Sequence, residues 1–394
     1  MRRHILALAA IAAIAVGACS GGASGTAKPS LPTSVGAGEG ALNLVAWSGY
    51  VVGGTGGEQV EGYDWVTPFE EATGCKVNVK VGVDSANMVQ LMKTGEYDGV
   101  SASGDATLRL IAGGDVVPVN FDLIPNYKDV FAGLKNQSYN TVDGLGYGVP
   151  HGRGANLLMY NPAAVTTAPD SWSVVFDANS PYKGKVTAYN YAIYIADAAL
   201  YLMATKPELN IKNPYALDAT QLAAAVDLLK QQKGLIGRYW GTSTDEIQGF
   251  EGGDMNIGTA WQYQANVINA DGKVKVETTK PKEGATGWSD TWMLSSKAKH
   301  PNCMYKWMDY IISPKANADV TVYFGEAPVS EAACAEAEKQ SAGHCEQFHA
   351  SDEAYFKDVW YWNTPTTTCL DGRTDVKCTD FDAWTKAWTE ITGG

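Results

Sequence analysis

Between Leu42 and Ala112 the hydrophobic pattern changes period repeatedly, and this alternation limits the possible folds more sharply than anything else in the chain. Leu42-Asn43-Leu44-Val45-Ala46-Trp47 runs from alternating to continuously apolar and reads as a strand. Trp65, Phe69 and Ala72 then recur at helical spacing. Thr67 and Glu70 are spaced as a capping box, Pro68 marks the first turn and Gly74 the stop. Cys75 to Val81 alternates as a second strand. Met88, Leu91 and Met92 line a helix closed by Gly95, Tyr97 to Ser101 is a short buried strand, and 106–112 is another helix. Parallel neighbours need a crossover, and a crossover helix covers the sheet face, so units of this length predict a parallel-leaning sheet flanked by helices. Ligands of such sheets gather at the carboxyl ends of strands, which is where Ser48-Gly49-Tyr50 falls.

The chain has 394 residues, more than one core usually organises, so two lobes are expected. The second half is again α/β. Ala188 to Ala204 is apolar enough for a buried helix, and Leu222, Val226 and Leu229 mark an amphipathic one that starts at Asp218 and Gln221 and stops at Gly234. Met304, Trp307, Met308 and Ile311 make another, and Ser313-Pro314 begins the next.

The first forty residues are not expected to join this fold. Met1-Arg2-Arg3-His4 is a positive n-region, and Ile5 to Val16 is an apolar run too short and Ala-rich to span a membrane. Val16-Gly17-Ala18-Cys19 resembles the bacterial lipobox, which implies cleavage before Cys19 and a diacylglyceryl group on its sulfur. A plain secretory signal with a coincidental cysteine is the alternative. Residues 19–40, rich in Gly, Ser, Ala, Thr and Pro, read as a flexible tether. Six further cysteines suit an oxidising compartment, and fifteen pairings of them are conceivable. Cys334–Cys345 and Cys369–Cys378 bracket loop-like stretches and are expected as local bridges, leaving Cys75–Cys303 by elimination.

Loss of Arg2 and Arg3 with the leader deepens the formal charge from −13 to −15. With no basic cluster, nucleic acid and anionic membrane surfaces are poor partners. The five histidines show no metal-ligand spacing, no Cys-x-x-Cys occurs, and the Gly pairs around Gly53 lack the register of a phosphate loop. No nucleophile elbow is present. No metal and no cofactor are expected, and binding is favoured over catalysis, with a secreted hydrolase as the remote alternative.

Gly287-Trp288-Ser289-Asp290-Thr291-Trp292 places two tryptophans around a carboxylate, which is what a site for an organic cation needs: ring faces for the charge and oxygens for its N–H groups. The run Leu42 to Val81 with its Trp-x-x-Tyr, Tyr97-Asp98-Gly99-Val100, Tyr147-Gly148-Val149-Pro150, Tyr182-Lys183-Gly184-Lys185, Glu251 to Trp261 and Pro281 to Asp290 together resemble the polyamine-type periplasmic solute-binding proteins of ABC importers. The resemblance covers most of residues 42 to 330 and implies a two-lobed α/β fold with the ligand cleft between the lobes. Lobe 1 would hold 41–150 and 287–327, and lobe 2 would hold 151–286 and 328–394, with a disulfide-stapled tail. Crossings are expected at Tyr147 to Arg153 and near Gly284 and Gly325.

The positions that match the family's pocket are Trp47, Tyr50, Ser103, Asp105, Trp261, Trp288 and Asp290, with Tyr361 from the tail. Two departures bear on the ligand. Ala188-Tyr189-Asn190-Tyr191 carries no carboxylate where relatives place acids in the second lobe, and Asp105 stands where they place a tyrosine. Arg153 occupies an apolar position at the first crossing; it could pair with Asp105 or Asp290, or grip a ligand carboxylate bidentately. The expectation is a monomeric, lipid-anchored receptor at the outer face of the bacterial cytoplasmic membrane or in the periplasm. It would capture a small cationic or zwitterionic ligand, a polyamine such as putrescine or spermidine, for an ABC permease. An ω-amino acid such as γ-aminobutyrate is the alternative, carried by Arg153.

Overall fold

Strands Ala41–Ala46, Lys76–Val81 and Gly99–Ala102 pair in parallel with Ala41–Ala46 in the middle, and helices Val66–Thr73 and Ser85–Lys93 make the crossovers. The computed structural model describes residues 31–393, so the expected leader, Cys19 and the first part of the tether lie outside the described residues. Strand Thr291–Ser295 completes this first sheet. It runs antiparallel to Gly99–Ala102 and also pairs with Val116–Val117 and Gly148–Pro150. Alternation along the strands feeds two cores. Leu42 and Leu44 pack with Phe69, Trp292 and Trp307 on one face, while Val45 and Val100 pack with Met88 and Met92 on the other.

The second lobe repeats the plan. Val186–Tyr189 lies between parallel neighbours Ile236–Trp240 and Ile257–Ala260, and Leu157–Tyr160 and Glu277–Thr279 extend the sheet in the antiparallel sense. Its core gathers Trp172, Leu229, Ile257 and Trp384. A third, short sheet joins the lobes: Ala285–Trp288 pairs antiparallel with Gly154–Ala155 and parallel with Val359–Tyr361. The chain then passes through Ser289-Asp290 directly into the first-lobe strand Thr291–Ser295. Ser289-Asp290 therefore makes the second crossing, a few residues beyond Gly284. Arg153 and Ala327 bridge the first and third crossings. Disulfides close Cys75–Cys303, Cys334–Cys345 and Cys369–Cys378.

Four expectations need correction. Ala188 is not in a helix: the strand runs to Tyr189, and the helix is Ile195–Thr205. A central strand covered on both faces is as continuously apolar as a buried helix, so periodicity could not separate them. The first helix has no Thr67–Glu70 capping box. Asp64 Oδ1 accepts the Thr67 N–H at 2.8 Å, and Glu70 instead receives the Val77 N–H at 2.8 Å and Lys76 Nζ at 2.7 Å. Residues 31–40 are fastened to the first lobe, since Glu39 accepts the N–H groups of Asn302 and Cys303, each at 2.9 Å, in the open first turn of helix Pro301–Ile311. Finally, helix Glu331–Gln340 packs on Pro314–Phe324 of the first lobe, and only the later tail, through Trp362 and helix Phe381–Thr392, joins the second.

Candidate functional site

A cleft of about 400 Å³ opens between the two lobes. Its first-lobe side is built from strand ends: Trp47 to Tyr50 after Ala41–Ala46, Gly82 to Ser85 after Lys76–Val81, and Ser103 with Asp105 after Gly99–Ala102. Three strands that point the same way deliver three loops to one place, and those loops carry Asp84 and Asp105. Asp290 arrives from the crossing. The second lobe contributes Tyr189 and Tyr191 at and just beyond the end of strand Val186–Tyr189, Thr242 and Ser243 at a helix start, and Trp261 and Tyr263. Trp288, Tyr323, Phe324 and Trp362 line the part near the crossings.

Asp290 is 4% exposed. Its Oδ2 accepts the Tyr50 hydroxyl at 2.9 Å, whereas Oδ1 is buried with no hydrogen-bond partner. Burial raises its pKa to about 6, against the pull of the Ser103 and Tyr50 hydroxyls. Asp105 sits in the first turn of helix Gly104–Ala112 and accepts the Ser85 hydroxyl at 2.9 Å. Burial lifts it to about 7, with Asp290 adding to the rise and Ser85 and Arg109 opposing it. Two desolvated carboxyls within electrostatic reach of each other are both destabilised as anions, and a cation placed between them would relieve both.

The wall behind Asp290 is rigid. Tyr50 stacks on His151 with ring centroids 3.9 Å apart. His151 Nδ1 accepts the Trp292 indole N–H at 2.8 Å, which leaves the ring hydrogen on Nε2, 3.4 Å from Glu326 Oε1. Burial pushes His151 down to about 3 and Glu326 well above the usual carboxylate range, so the pair is neutral. On the opposite side, Trp261 Nε1 donates to Asn156 Oδ1 at 3.0 Å, Asn156 Nδ2 to Thr286 Oγ1 at 2.7 Å, and Thr286 to Asp197 at 2.8 Å. That chain fixes the indole plane. Gly154 is required beside it, because a Cβ there would meet the Trp288 ring at 2.6 Å.

Trp47, Tyr50, Ser103, Asp105, Trp261, Trp288 and Asp290 all line the cleft, whereas Arg153 and Tyr361 do not. Arg153 is fully buried. It donates from Nη2 to Ala350 O at 2.7 Å and to Glu353 at 3.0 Å, and from Nη1 to the Tyr361 hydroxyl at 3.3 Å, with the Phe356 ring 3.8 Å away. It pairs with neither Asp105 nor Asp290; it holds the tail, and the ω-amino acid alternative loses the residue on which it rested. Tyr361 and Trp362 are adjacent in extended chain and point to opposite faces, so Trp362 reaches the cleft and Tyr361 does not. Trp292, the second indole of the Trp-Ser-Asp-Thr-Trp run, is likewise in the first-lobe core. Asp84 and Ser85 escaped the sequence reading, although the strand-end rule that selected Tyr50 applies equally to them. Among the described residues no cluster of potential metal ligands is present.

The model of the bacterial extracellular solute-binding protein family matches residues 64–347. A putrescine-binding periplasmic protein of Pseudomonas aeruginosa is 23% identical over 372 residues, 90% of this chain and 92% of that one. A putrescine/agmatine-binding protein of the same species is 26% identical over 286 residues, 67% of this chain and 75% of that one. The solved structure of the Streptococcus pneumoniae spermidine/putrescine ABC transporter substrate-binding protein superposes with a TM-score of 0.67 at 17% identity, over 89% of this chain and 97% of that one. A match over most of the chain, to a fold built around an interlobe cleft, places it: the protein belongs to the bacterial extracellular solute-binding proteins, and it binds its ligand without transforming it.

Proposed function

We propose that this protein captures a small organic cation of the polyamine class, with putrescine and spermidine as reference members, and delivers it to an ABC permease. The observation that carries the reading is Asp290: a carboxylate almost wholly buried in an aromatic cleft, with one oxygen unpartnered and no protein cation acting on it. Burying such a group is costly unless a counter-ion arrives, and the indoles of Trp261 and Trp288 supply ring faces for that ion. The names of the curated relatives, which bind putrescine, agmatine or cadaverine, support the same class. The test is thermal unfolding with rising putrescine, spermidine, γ-aminobutyrate and glucose. The amines should raise the midpoint as RT ln(1 + [L]/Kd) predicts, and the sugar should not. A response to sugar alone would overturn the reading.

The receptor is further proposed to be a monomer held at the outer face of the membrane by a lipid on Cys19. Among the described residues no helix is long and apolar enough to cross a membrane. If the lipid is the anchor, Cys19→Ala should move the protein from the membrane fraction to the soluble one while ligand affinity stays constant. Retention of that variant in the membrane would remove the anchor.

A further inference from the structure

The charges of the cleft all lie on one side. Asp84 and Asp105 belong to the first lobe, and Asp290 opens its strand Thr291–Ser295. Facing them, the second lobe presents Tyr189, Tyr191, Ile193, Thr242, Ser243 and Trp261, none of which is charged. Carboxylates exist behind that wall but none of them lines the cleft. Asp245 accepts the Thr242 N–H at 3.1 Å, Glu246 is fully buried on the Thr187 hydroxyl at 2.7 Å, and Asp197 takes the Thr286 hydroxyl at 2.8 Å. An ammonium pressed against this wall would be desolvated with no acid to receive its N–H groups.

The wall suits something flat and uncharged. Tyr189 stacks with Trp362 at 5.6 Å and meets Trp261 edge-on at 5.8 Å, so ring faces and ring edges alternate along the wall, and Thr242 and Ser243 also line it. The space is also larger than a short diamine needs. At about 400 Å³ the cleft far exceeds the roughly 10–15 Å³ that one water-sized group needs, and leaves room beyond the six non-hydrogen atoms of a four-carbon diamine.

We infer that the ligand is an amine whose ammonium is held by the first-lobe carboxylates and whose opposite end, against the second lobe, carries an uncharged flat cap, aryl or acyl. This rests on the cation-receptor reading above and narrows it. The cap slides against the rings, and closure of the lobes seals it from water without burying a second charge.

The test is calorimetric titration of the exported chain with putrescine, N-acetylputrescine and 4-phenylbutylamine at one pH and ionic strength. The phenyl-capped amine should bind at least tenfold more tightly than putrescine, with the acetylated one between them. Ser243→Asp places an acid at the first residue of helix Ser243–Glu251, where the helix terminus favours it, and so supplies the missing charge. Putrescine should gain about tenfold in that variant and the capped amines should not. Thr242→Asp, which keeps a capping oxygen, provides a second version of the same change. Equal or tighter binding of putrescine by the unaltered protein would overturn the inference and leave the receptor reading standing. A preference for capped amines that neither variant alters would overturn it too, by placing the cap elsewhere. Failure of every amine to bind would remove both.

Discussion

Asp290→Asn should strengthen the empty protein and ruin the receptor, and the two effects can be sized separately. Burial holds the folded carboxyl at about 6, against about 3.9 for a free aspartate, so ionising it costs about 3 kcal/mol. The sign follows from the raised value: the stability is complete below about pH 4 and is lost as pH rises through about 6. Roughly half of the penalty is therefore present at pH 5 and all of it at pH 8. Asparagine removes it. Its oxygen can still accept the Tyr50 hydroxyl, while its amide finds no partner where Oδ1 had none, at a cost of about 1–3 kcal/mol. The ligand-free variant should be up to about 2 kcal/mol more stable than the parent at pH 8, an advantage that shrinks by roughly 1.5 kcal/mol at pH 5. Amine binding should fall by about 2–5 kcal/mol, roughly 30-fold to several thousand-fold, because the buried charge pair has lost its anion. Thermal unfolding at both pH values and calorimetry with putrescine and spermidine check the two halves. Full-strength binding would refute the assignment of Asp290, and a variant destabilised more at pH 8 than at pH 5 would refute the desolvation argument.

The remaining expectations concern charge, the tail and the bridges. Because Asp105 is raised to about 7 and Asp290 to about 6, and both must ionise to hold an ammonium, amine affinity should drop on the order of 1000-fold from pH 8 to pH 5. A flat calorimetric profile over that range would contradict it. Arg153→Ala should cost about 2–4 kcal/mol of stability through its lost bonds to Ala350 and Glu353, with amine affinity changed little. Loss of binding without loss of stability would return Arg153 to the ligand. Replacing both Cys75 and Cys303 by Ala, which frees a separation of 228 residues, should destabilise by about 5 kcal/mol; the same change at Cys334 and Cys345, 11 apart, should cost about 3. Denaturant titration would show the order reversed if local strain outweighed chain entropy.

Much of the fold was legible because its signals are local. Strand and helix periods, Gly74 as a left-handed stop and the Asp218–Gln221 capping box at the start of Ala219–Gln232 each depend on residues only a few positions apart. The strand-end rule likewise reached Tyr50, and the Trp-Ser-Asp run reached Asp290. Where reading failed, the deciding partner was distant. Ala188 is in a strand because Arg238, Tyr239 and their neighbours pair beside it. Glu39 is an anchor because a helix two hundred and sixty residues later leaves its N–H groups open.

The sequence by itself determined the kind of protein: an α/β chain long enough for two lobes, six cysteines beyond Cys19, and a carboxylate set among indoles. These are properties of composition and short-range pattern, and no tertiary contact is needed to state them. Only the tertiary structure decided which charges meet the ligand. Arg153 turned to the tail because Glu353, Ala350 and Tyr361 are within reach there, and Trp362 entered the cleft because a strand alternates its faces. Asp84, Asp105 and Asp290 lie far apart in sequence and converge because parallel strands end together, while the opposite wall stays uncharged. Electrostatic recognition is a matter of a few ångströms between groups that the chain separates by up to two hundred residues, and folding alone sets that distance.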